Sequence, residues 1–275
     1  MTNADTAFEK DFFEDGYVVL RNVIDASLLE EVTNILTREA STMLSKPAHY
    51  QDNFLDLLEH YDQHDLQKRL FLALHTQDIP QRLLTSTVLL NTLIRFLGPD
   101  LAYEEYPELA VNIKHVEDDY YLKKWHQEFW SGNGSHTIQL WFPITIEENI
   151  GGLELVRGSH LWGHIPHRNR EPMELPPEID VVCPTVAVGD AIIFHTFTLH
   201  RTVPNTSSQP RFALPIGIKN FYHNDTGVPF FTTWRPFHYS SLAKIQKRLG
   251  NSSFSPFRTL GSTRKDTGID PSNRQ

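Results

Sequence analysis

Two histidines and one glutamate, His126, Glu128 and His200, are the residues of this sequence whose types and spacing best suit metal chemistry. Two imidazoles and a carboxylate on one face of an ion leave the opposite face open, which suits non-haem Fe(II) and its reactions with oxygen. Arg211 lies eleven positions after His200 and offers a rigid guanidinium fork for a carboxylate cosubstrate. The pattern therefore predicts a metal centre with an anion site beside it.

The His-x-acid motif alone is not specific. With fourteen histidines and thirty-four acidic residues in the chain, about two matches are expected by chance. The chain holds four, at His60–Asp62, His115–Glu117, His126–Glu128 and His223–Asp225. Only the His126 match follows an aromatic, strand-like run, and residues i and i+2 of an extended chain point to the same side. We therefore predict that His126 and Glu128 hold one ion from a strand.

The second histidine ligand has two candidates, His195 and His200, because both end short apolar runs that are typical of strands. The spacing to Arg211 favours His200. Thr202 then lies on the same side of the strand as His200, where a hydroxyl and a basic residue could hold one end of a dicarboxylate. His195 remains the alternative ligand.

Three segments, Trp125–Glu128, Gly151–His160 and Gly189–Arg211, resemble the phytanoyl-CoA dioxygenase family. The opening segment Phe12–Leu20 resembles that family's first helix and strand, and the similarity runs in order over residues 8–222. The resemblance implies a mainly β fold with flanking helices around a double-stranded β-helix (a cupin-like jelly roll). It also implies a dioxygenase that uses Fe(II), 2-oxoglutarate and O2 and releases succinate and CO2.

The resemblance also implies roles for individual residues. His126, Glu128 and His200 match the iron ligands and hence the catalytic centre. The expected cosubstrate contacts are Arg211 to the distal carboxylate of 2-oxoglutarate, Thr202 as its hydroxyl helper, Trp141 and Asn112. Two positions depart from the family pattern, Glu128 where aspartate is usual and Arg157 where a proline commonly precedes Gly-Ser-His. Related halogenases lack the carboxylate ligand, so Glu128 argues against halogenation.

The expected reaction is hydroxylation of a small molecule, such as a natural product, a sugar or an amino-acid-type compound. The substrate mouth could draw on an aromatic and polar mixture of Trp130, His136, Lys123, Phe197 and Phe221. Three further histidines, His160, His164 and His167, could hold zinc, although no cysteine accompanies them. The alternative function is a non-catalytic jelly-roll protein that binds a carboxylate ligand or a metal.

Composition limits the partners. A net charge of -9 and a pI near 5.8 argue against nucleic acid or an anionic membrane as a main partner. The single cysteine, Cys183, allows no intrachain disulfide, and no apolar run approaches the length of a membrane helix. We expect a cytoplasmic protein, a monomer or a homodimer, that acts on a small-molecule substrate.

The chain is expected to form a single domain over residues 1–250, followed by a polar tail at 251–275 that we predict to be disordered. A first helix should begin at Asp25 or Ser27, with Glu30 and Glu31 in its first turn. A helical insert is predicted over 52–97, ending at Gly98-Pro99, and strands dominate 109–222.

Overall fold

A computed structural model describes residues 10–105, 108–114, 122–131, 133–147, 151–223 and 234–248. The tail at 251–275, which the sequence predicts to be disordered, lies outside the described residues. So do His115, Glu117 and Asp225 of the competing His-x-acid motifs. Within the described ranges, no helix is long and apolar enough to span a bilayer.

Six helices are labelled along the described chain, after a helical segment at residues 10–15. They are α1 (Ala26–Leu44), α2 (Phe54–Leu58), α3 (Gln63–His75), α4 (Ile79–Leu84), α5 (Thr87–Leu97) and α6 (Ser241–Arg248). Helix α5 ends at Gly98, whose φ of 79° is a conformation that only glycine adopts readily. Helices α2 to α5 fall where the sequence predicts the helical insert.

The start of α1 corrects one expectation. The backbone amides of Leu28 and Leu29 donate to the carbonyl of Asp25, so the helix begins at Ala26. The prediction placed Glu30 and Glu31 in the first turn, but both residues lie beyond it. The Asp25 side chain makes no capping hydrogen bond either. The early start leaves the amphipathic spacing of α1 unchanged, and Val32, Ile35 and Leu36 are buried as that spacing requires.

Twelve described strands form two main sheets and a hairpin. They are β1 (Tyr17–Leu20), β2 (Leu101–Glu104), β3 (Ala110–Asn112), β4 (Thr137–Pro143), β5 (Leu153–Val156), β6 (His167–Arg168), β7 (Glu171–Pro172), β8 (Val181–Val182), β9 (Ala191–His195), β10 (His200–Thr202), β11 (Arg211–Asn220) and β12 (Trp234–His238). The major sheet has the order β1-β9-β4-β11-β2-β12, with β3 also paired to β11. The minor sheet has the order β10-β5-β8, and every recorded strand pair is antiparallel.

The two faces of the major sheet have different surroundings, because successive side chains along a strand point to opposite faces. On β4, Ile138, Leu140 and Phe142 belong to the core that packs against the helices. The residues between them, Gln139 and Trp141, face a cavity on the opposite side of the sheet. Strand β11 repeats the pattern, with Phe212, Leu214, Ile216 and Ile218 in the helical core and Arg211 and Pro215 lining the cavity.

The minor sheet closes the other side of this cavity. Leu153 and Leu155 of β5 pack with Trp141, Ile192 and Phe194 of the major sheet in a second apolar cluster between the two sheets. The mainly β architecture with helices on one face confirms the expected jelly-roll core. The fold thereby leaves one open mouth between the sheets, where polar residues from both sheets meet.

Candidate active site

His126, Glu128 and His200 converge on one point at the cavity. Their ligand atoms all lie within 4.8 Å of one another. The nearer carboxylate oxygen of Glu128 is 3.5 Å from Nε2 of His126 and 3.3 Å from Nε2 of His200. Across the described residues, no other group of three or more His, Cys, Asp or Glu side chains meets this spacing.

The convergence does not use the strand geometry that the sequence predicted. His126 forms an isolated antiparallel bridge with His200, in which each backbone amide donates to the other residue's carbonyl at 2.9 and 3.0 Å. The chain then leaves the extended conformation and forms a 3-10 turn over Glu128–Ser131. The expectation of a strand through Glu128 was therefore wrong. The longer glutamate arm nevertheless brings its carboxylate within reach of both imidazoles.

Backbone carbonyls fix the orientation of both imidazoles. Nδ1 of His126 donates to the Lys124 carbonyl at 2.7 Å, and Nδ1 of His200 donates to the Thr198 carbonyl at 2.9 Å. A carbonyl can only accept, so Nδ1 carries the proton in each ring and Nε2 presents a lone pair. This is the tautomer that a metal ligand needs, and hydrogen bonds of this kind commonly orient metal-bound histidines.

Gln127, between His126 and Glu128, is fully buried, and both ends of its side-chain amide are hydrogen-bonded. Its Nε2 donates to the carbonyls of Gly163 at 2.9 Å and Phe197 at 2.7 Å, and its Oε1 accepts from the amide of Ile165 at 3.0 Å. These bonds tie the His126–Glu128 segment to two separate loops. Gln127 therefore positions the segment that carries His126 and Glu128.

The protonation states of the triad suit a cation. Burial, followed by the neighbouring His200, lowers the pKa of His126 to about 4, so the ring is neutral at pH 7. Burial alone would raise the pKa of Glu128, but the adjacent His126 and His200 rings and the positive charge of Lys123 outweigh burial and hold that pKa well below its usual range. Two neutral imidazoles and one ionised carboxylate are the forms that coordinate a divalent metal.

The donor set fits an Fe(II) ion on geometry as well as charge. Nε2 of His126 is buried and has no hydrogen-bond partner in the described structure. A buried nitrogen lone pair without a partner is costly, and a bound cation would remove that cost. Two nitrogens and one oxygen on one side of a point leave the cavity side free for other ligands.

The alternative metal residues are placed elsewhere. Nδ1 of His195 accepts from the amide of Phe197 at 3.1 Å, and burial together with His160 lowers the pKa of His195 to about 4. His195 is outside the convergent group, which contains His200. His160, His164 and His167 form no metal-binding group in the described chain. His167 stacks on Trp130, with ring centroids 4.4 Å apart.

Arg211 is the second unusual feature of the cavity. Its side chain is 4% exposed, yet among the described residues no carboxylate forms a salt bridge with it. Nη1 reaches the Ala110 carbonyl at a long 3.4 Å, Nε has no partner, and the guanidinium lies 5.3 Å from the centre of the Trp141 ring. Burial lowers the pKa of Arg211, but an arginine remains charged at neutral pH. A buried, unpaired cation is expensive unless an anion joins it.

Gly151 packs against the Arg211 side chain. A Cβ at Gly151 would lie 3.4 Å from both Cβ and Nε of Arg211, which is an ordinary contact distance. The φ of 67° at Gly151 is a conformation that a larger residue would adopt only with strain. The loop before β5 thus forms one wall of the anion site.

Half of the other residues that the sequence selected line the cavity, which has a volume of about 550 Å³. Thr202, Trp141, Trp130 and Lys123 line it together with the triad and Arg211. The Trp130 indole nitrogen is buried without a partner, so it is available to a ligand. The position of Trp130 beside the metal group agrees with its expected place at the substrate mouth.

Four predicted residues are not among those that line the cavity: Asn112, His136, Phe197 and Phe221. Asn112 is buried and donates its amide to the Val203 carbonyl at 2.8 Å, and its expected contact with the cosubstrate stays a prediction. His136 stacks on His223. Phe197 packs against Phe129, and Phe221 packs in an apolar cluster with Ala102. Local sequence patterns do not show that these four side chains lie outside the cavity lining.

Three polar residues that line the cavity were not predicted from the sequence: Gln127, Glu104 and Gln139. Gln139 interrupts the otherwise apolar β4 at a position that alternates with core residues, and Glu104 does the same at the end of β2. Such inward-facing polar residues on a hydrophobic strand are the signal that could have identified them. Burial and the negative charge of Glu128 raise the pKa of Glu104 to about 7.

Comparison with known proteins places these features in context. The family model for phytanoyl-CoA dioxygenase (PhyH) matches residues 12–213. The chain is 25% identical over 224 residues to 1-deoxypentalenic acid 11-beta-hydroxylase of Streptomyces exfoliatus, covering 74% of this chain and 76% of the relative.

Two solved structures share the fold. The apo form of the non-heme monooxygenase ThoJ superposes with a TM-score of 0.60 at 20% identity, covering 85% of this chain and 84% of the other. The epimerase SnoN, in complex with Fe3+, alpha ketoglutarate and nogalamycin RO, gives 0.53 at 18% identity, covering 79% and 84%.

Proposed function

Because the chain belongs to the phytanoyl-CoA dioxygenase family, we propose that it is an Fe(II)- and 2-oxoglutarate-dependent oxygenase that hydroxylates a small organic substrate. Succinate and CO2 are the expected coproducts. The observation that carries the proposal is the joint presence, in one cavity, of a convergent two-histidine, one-carboxylate group and a buried arginine that forms no salt bridge with any described residue.

His126, Glu128 and His200 are the proposed iron ligands and the catalytic centre. When bound, Fe(II) with 2-oxoglutarate and O2 supplies the oxidising chemistry. The protein holds the two imidazoles in the required tautomer through Lys124 and Thr198 and keeps Glu128 ionised. The reach of Glu128 to both histidines supports an active site over the non-catalytic binding protein that remains the alternative.

Arg211 is the proposed partner of the distal carboxylate of 2-oxoglutarate. A guanidinium can bind a carboxylate through two parallel hydrogen bonds. The unpaired Nε of Arg211 supports this role, and Trp141 stacks beside the guanidinium. Thr202 follows His200 by two residues on β10 and lines the same cavity, so its hydroxyl is the proposed second contact with the cosubstrate. Asn112 lies on β3, which pairs with β11 at Arg211, and its side-chain oxygen is proposed as a further polar contact of the cosubstrate region.

The remaining cavity is proposed to hold the substrate. Trp130 and Lys123 line its outer part, and the β6–β7 hairpin stands at the same mouth, since Asn169, Arg170 and Glu171 also line it. Lys124 forms an ion pair with Glu171 at 2.8 Å, which fastens the hairpin to the metal-bearing segment. A substrate that fills this mouth would exclude water from the metal. The lone cysteine and the acidic charge support a small-molecule enzyme of the cytoplasm, a monomer or a homodimer.

Isotope labelling separates hydroxylation from the other outcomes open to this fold. The relative from Streptomyces exfoliatus is named a hydroxylase, whereas SnoN is named an epimerase. A panel of small natural products, sugars and amino acids would be screened for substrate-dependent succinate release, and each hit would be rerun under 18O2. Hydroxylation predicts one labelled oxygen atom in the product. A product of unchanged mass indicates epimerisation, and a loss of two hydrogens indicates ring closure or desaturation; either result contradicts the proposal.

A further inference from the structure

Glu104 and Gln139 form a polar pair on the cavity wall that neither the metal nor the cosubstrate uses. Gln139 is on β4, Glu104 is on β2, and β11 runs between them in the major sheet. Gly217 of β11 is in register with Gln139. Neighbouring residues of β2 and β4 belong to the helical core, so alternation directs both polar side chains into the cavity, which both of them line.

Gly217 allows the two side chains to meet. A Cβ at this position would lie 3.3 Å from Oε1 of Gln139 and 3.3 Å from Oε2 of Glu104. The backbone amide of Gly217 also donates to the Glu104 carboxylate. The absence of a side chain therefore leaves a shallow recess with the ends of both polar groups at its edge.

The pair has hydrogen-bonding capacity to spare. Gln139 is 4% exposed, and its Oε1 has no hydrogen-bond partner in the described structure. Leaving such a buried atom unsatisfied destabilises the folded protein. No lysine or arginine of the described chain forms a salt bridge with Glu104, whose remaining exposure is to the cavity. Oε1 of Gln139 is thus able to accept a hydrogen bond from a ligand in the cavity.

We propose that Glu104 and Gln139 bind a hydroxyl group of the substrate, so that the enzyme acts on a neutral, hydroxyl-bearing compound. This inference rests on the proposed function and names the substrate class for the same site. A hydroxyl both donates and accepts, and so matches a carboxyl group beside an amide. The negative charge of Glu128 acts on Glu104 and disfavours a second anion there, which argues against a substrate carboxylate in the recess.

Small cyclic probes that carry one type of polar group each test the inference directly. The probes are trans-1,2-cyclohexanediol, cyclohexylammonium and cyclohexanecarboxylate, titrated into protein loaded with Zn(II) and 2-oxoglutarate and followed by saturation-transfer NMR. The diol should bind most tightly. Glu104→Leu and Gln139→Leu should each weaken diol binding about 5- to 10-fold, which is the usual effect of losing one hydrogen bond. Glu104→Gln, which keeps a donor and an acceptor, should retain binding.

Glu105→Leu is the matched control, because Glu105 is the next residue and does not line the cavity. It should leave diol binding unchanged. Diol affinity that is the same in wild type, Glu104→Leu and Gln139→Leu overturns the inference, as does failure of the diol to bind at all. Tighter binding of cyclohexylammonium, lost in Glu104→Leu, overturns it in favour of a cationic substrate.

A second measurement separates this inference from the proposed function. All variants would be titrated anaerobically with Fe(II) and 2-oxoglutarate, and the visible charge-transfer band would be recorded. A band in wild type and in every variant, with no change in diol binding, rejects the hydroxyl recess alone. Absence of the band in wild type rejects the proposed function itself.

Discussion

Replacing Arg211 with leucine should separate cosubstrate binding from metal binding. Arg211 is 4% exposed and is not a member of the metal-binding group, whose two histidines are oriented by the carbonyls of Lys124 and Thr198. The substitution should therefore remove the anchor of the 2-oxoglutarate carboxylate and leave the iron ligands in place. Leucine keeps part of the apolar contact with Trp141, so the effect reports on charge rather than on a cavity.

The expected magnitude follows from the burial of this group. Removing one member of a buried, hydrogen-bonded ion pair costs about 3–5 kcal/mol. At about 1.4 kcal/mol for each tenfold change, 2-oxoglutarate should bind at least ~100-fold more weakly. Fe(II) affinity should change by less than about threefold, which is well under 1 kcal/mol. The ligand-free variant should be at least as stable as wild type, because it no longer buries an unpaired cation.

Calorimetric titration of 2-oxoglutarate into Zn(II)-loaded protein measures the first quantity, and a competition titration with a chelator measures the metal affinity. Arg69→Leu is a suitable control, since Arg69 pairs with Glu39 between α1 and α3, outside the cavity lining. Equal losses of metal and cosubstrate affinity in Arg211→Leu would show that Arg211 maintains the fold of the site. Unchanged 2-oxoglutarate affinity would refute its role as an anchor.

Three further substitutions test the supporting parts of the site. Gln127→Leu leaves two carbonyls and one amide without partners and should lower the free energy of unfolding by about 3 kcal/mol or more; a loss under about 1 kcal/mol in urea denaturation would contradict this. Glu104→Gln removes a carboxyl whose pKa is raised in the fold from 4.5 to about 7, mainly by burial. The contribution of that carboxyl to stability is fully present below pH 4.5 and lost as the pH rises through 7, so metal-free Glu104→Gln should gain stability over wild type at pH 8 but not at pH 4.5. A stability difference between Glu104→Gln and wild type that does not change with pH would contradict the raised pKa of Glu104. Zn(II) should raise the melting temperature of wild type and not that of His200→Ala; an equal rise in both proteins would place the metal elsewhere.

The sequence predicted the parts of the fold that depend on local pattern. Short apolar runs bounded by turn residues located strands β9 and β11, and the glycine at 98 located the end of α5. Asp25 is the N-cap of α1, one of the two residues predicted for that position, but Glu30 and Glu31 lie beyond the first turn, which the carbonyl of Asp25 closes.

The site was harder to predict because its residues meet through tertiary structure. The triad could be selected from sequence order and from the spacing between His200 and Arg211. The 3-10 turn at Glu128 could not, since it depends on Gln127 binding loops more than thirty residues away. Asn112 and Phe197 do not line the cavity, and their contacts with Val203 and Phe129 depend on tertiary structure that local patterns do not specify.

The most direct test of the account is an anaerobic titration of the wild-type protein with Fe(II) and 2-oxoglutarate, followed by visible absorption. If iron and 2-oxoglutarate bind at the proposed sites, a charge-transfer band should appear and should saturate at one iron and one 2-oxoglutarate per chain. The band should be absent when Zn(II) replaces iron. A protein that binds Fe(II) but gives no band with saturating 2-oxoglutarate would contradict it.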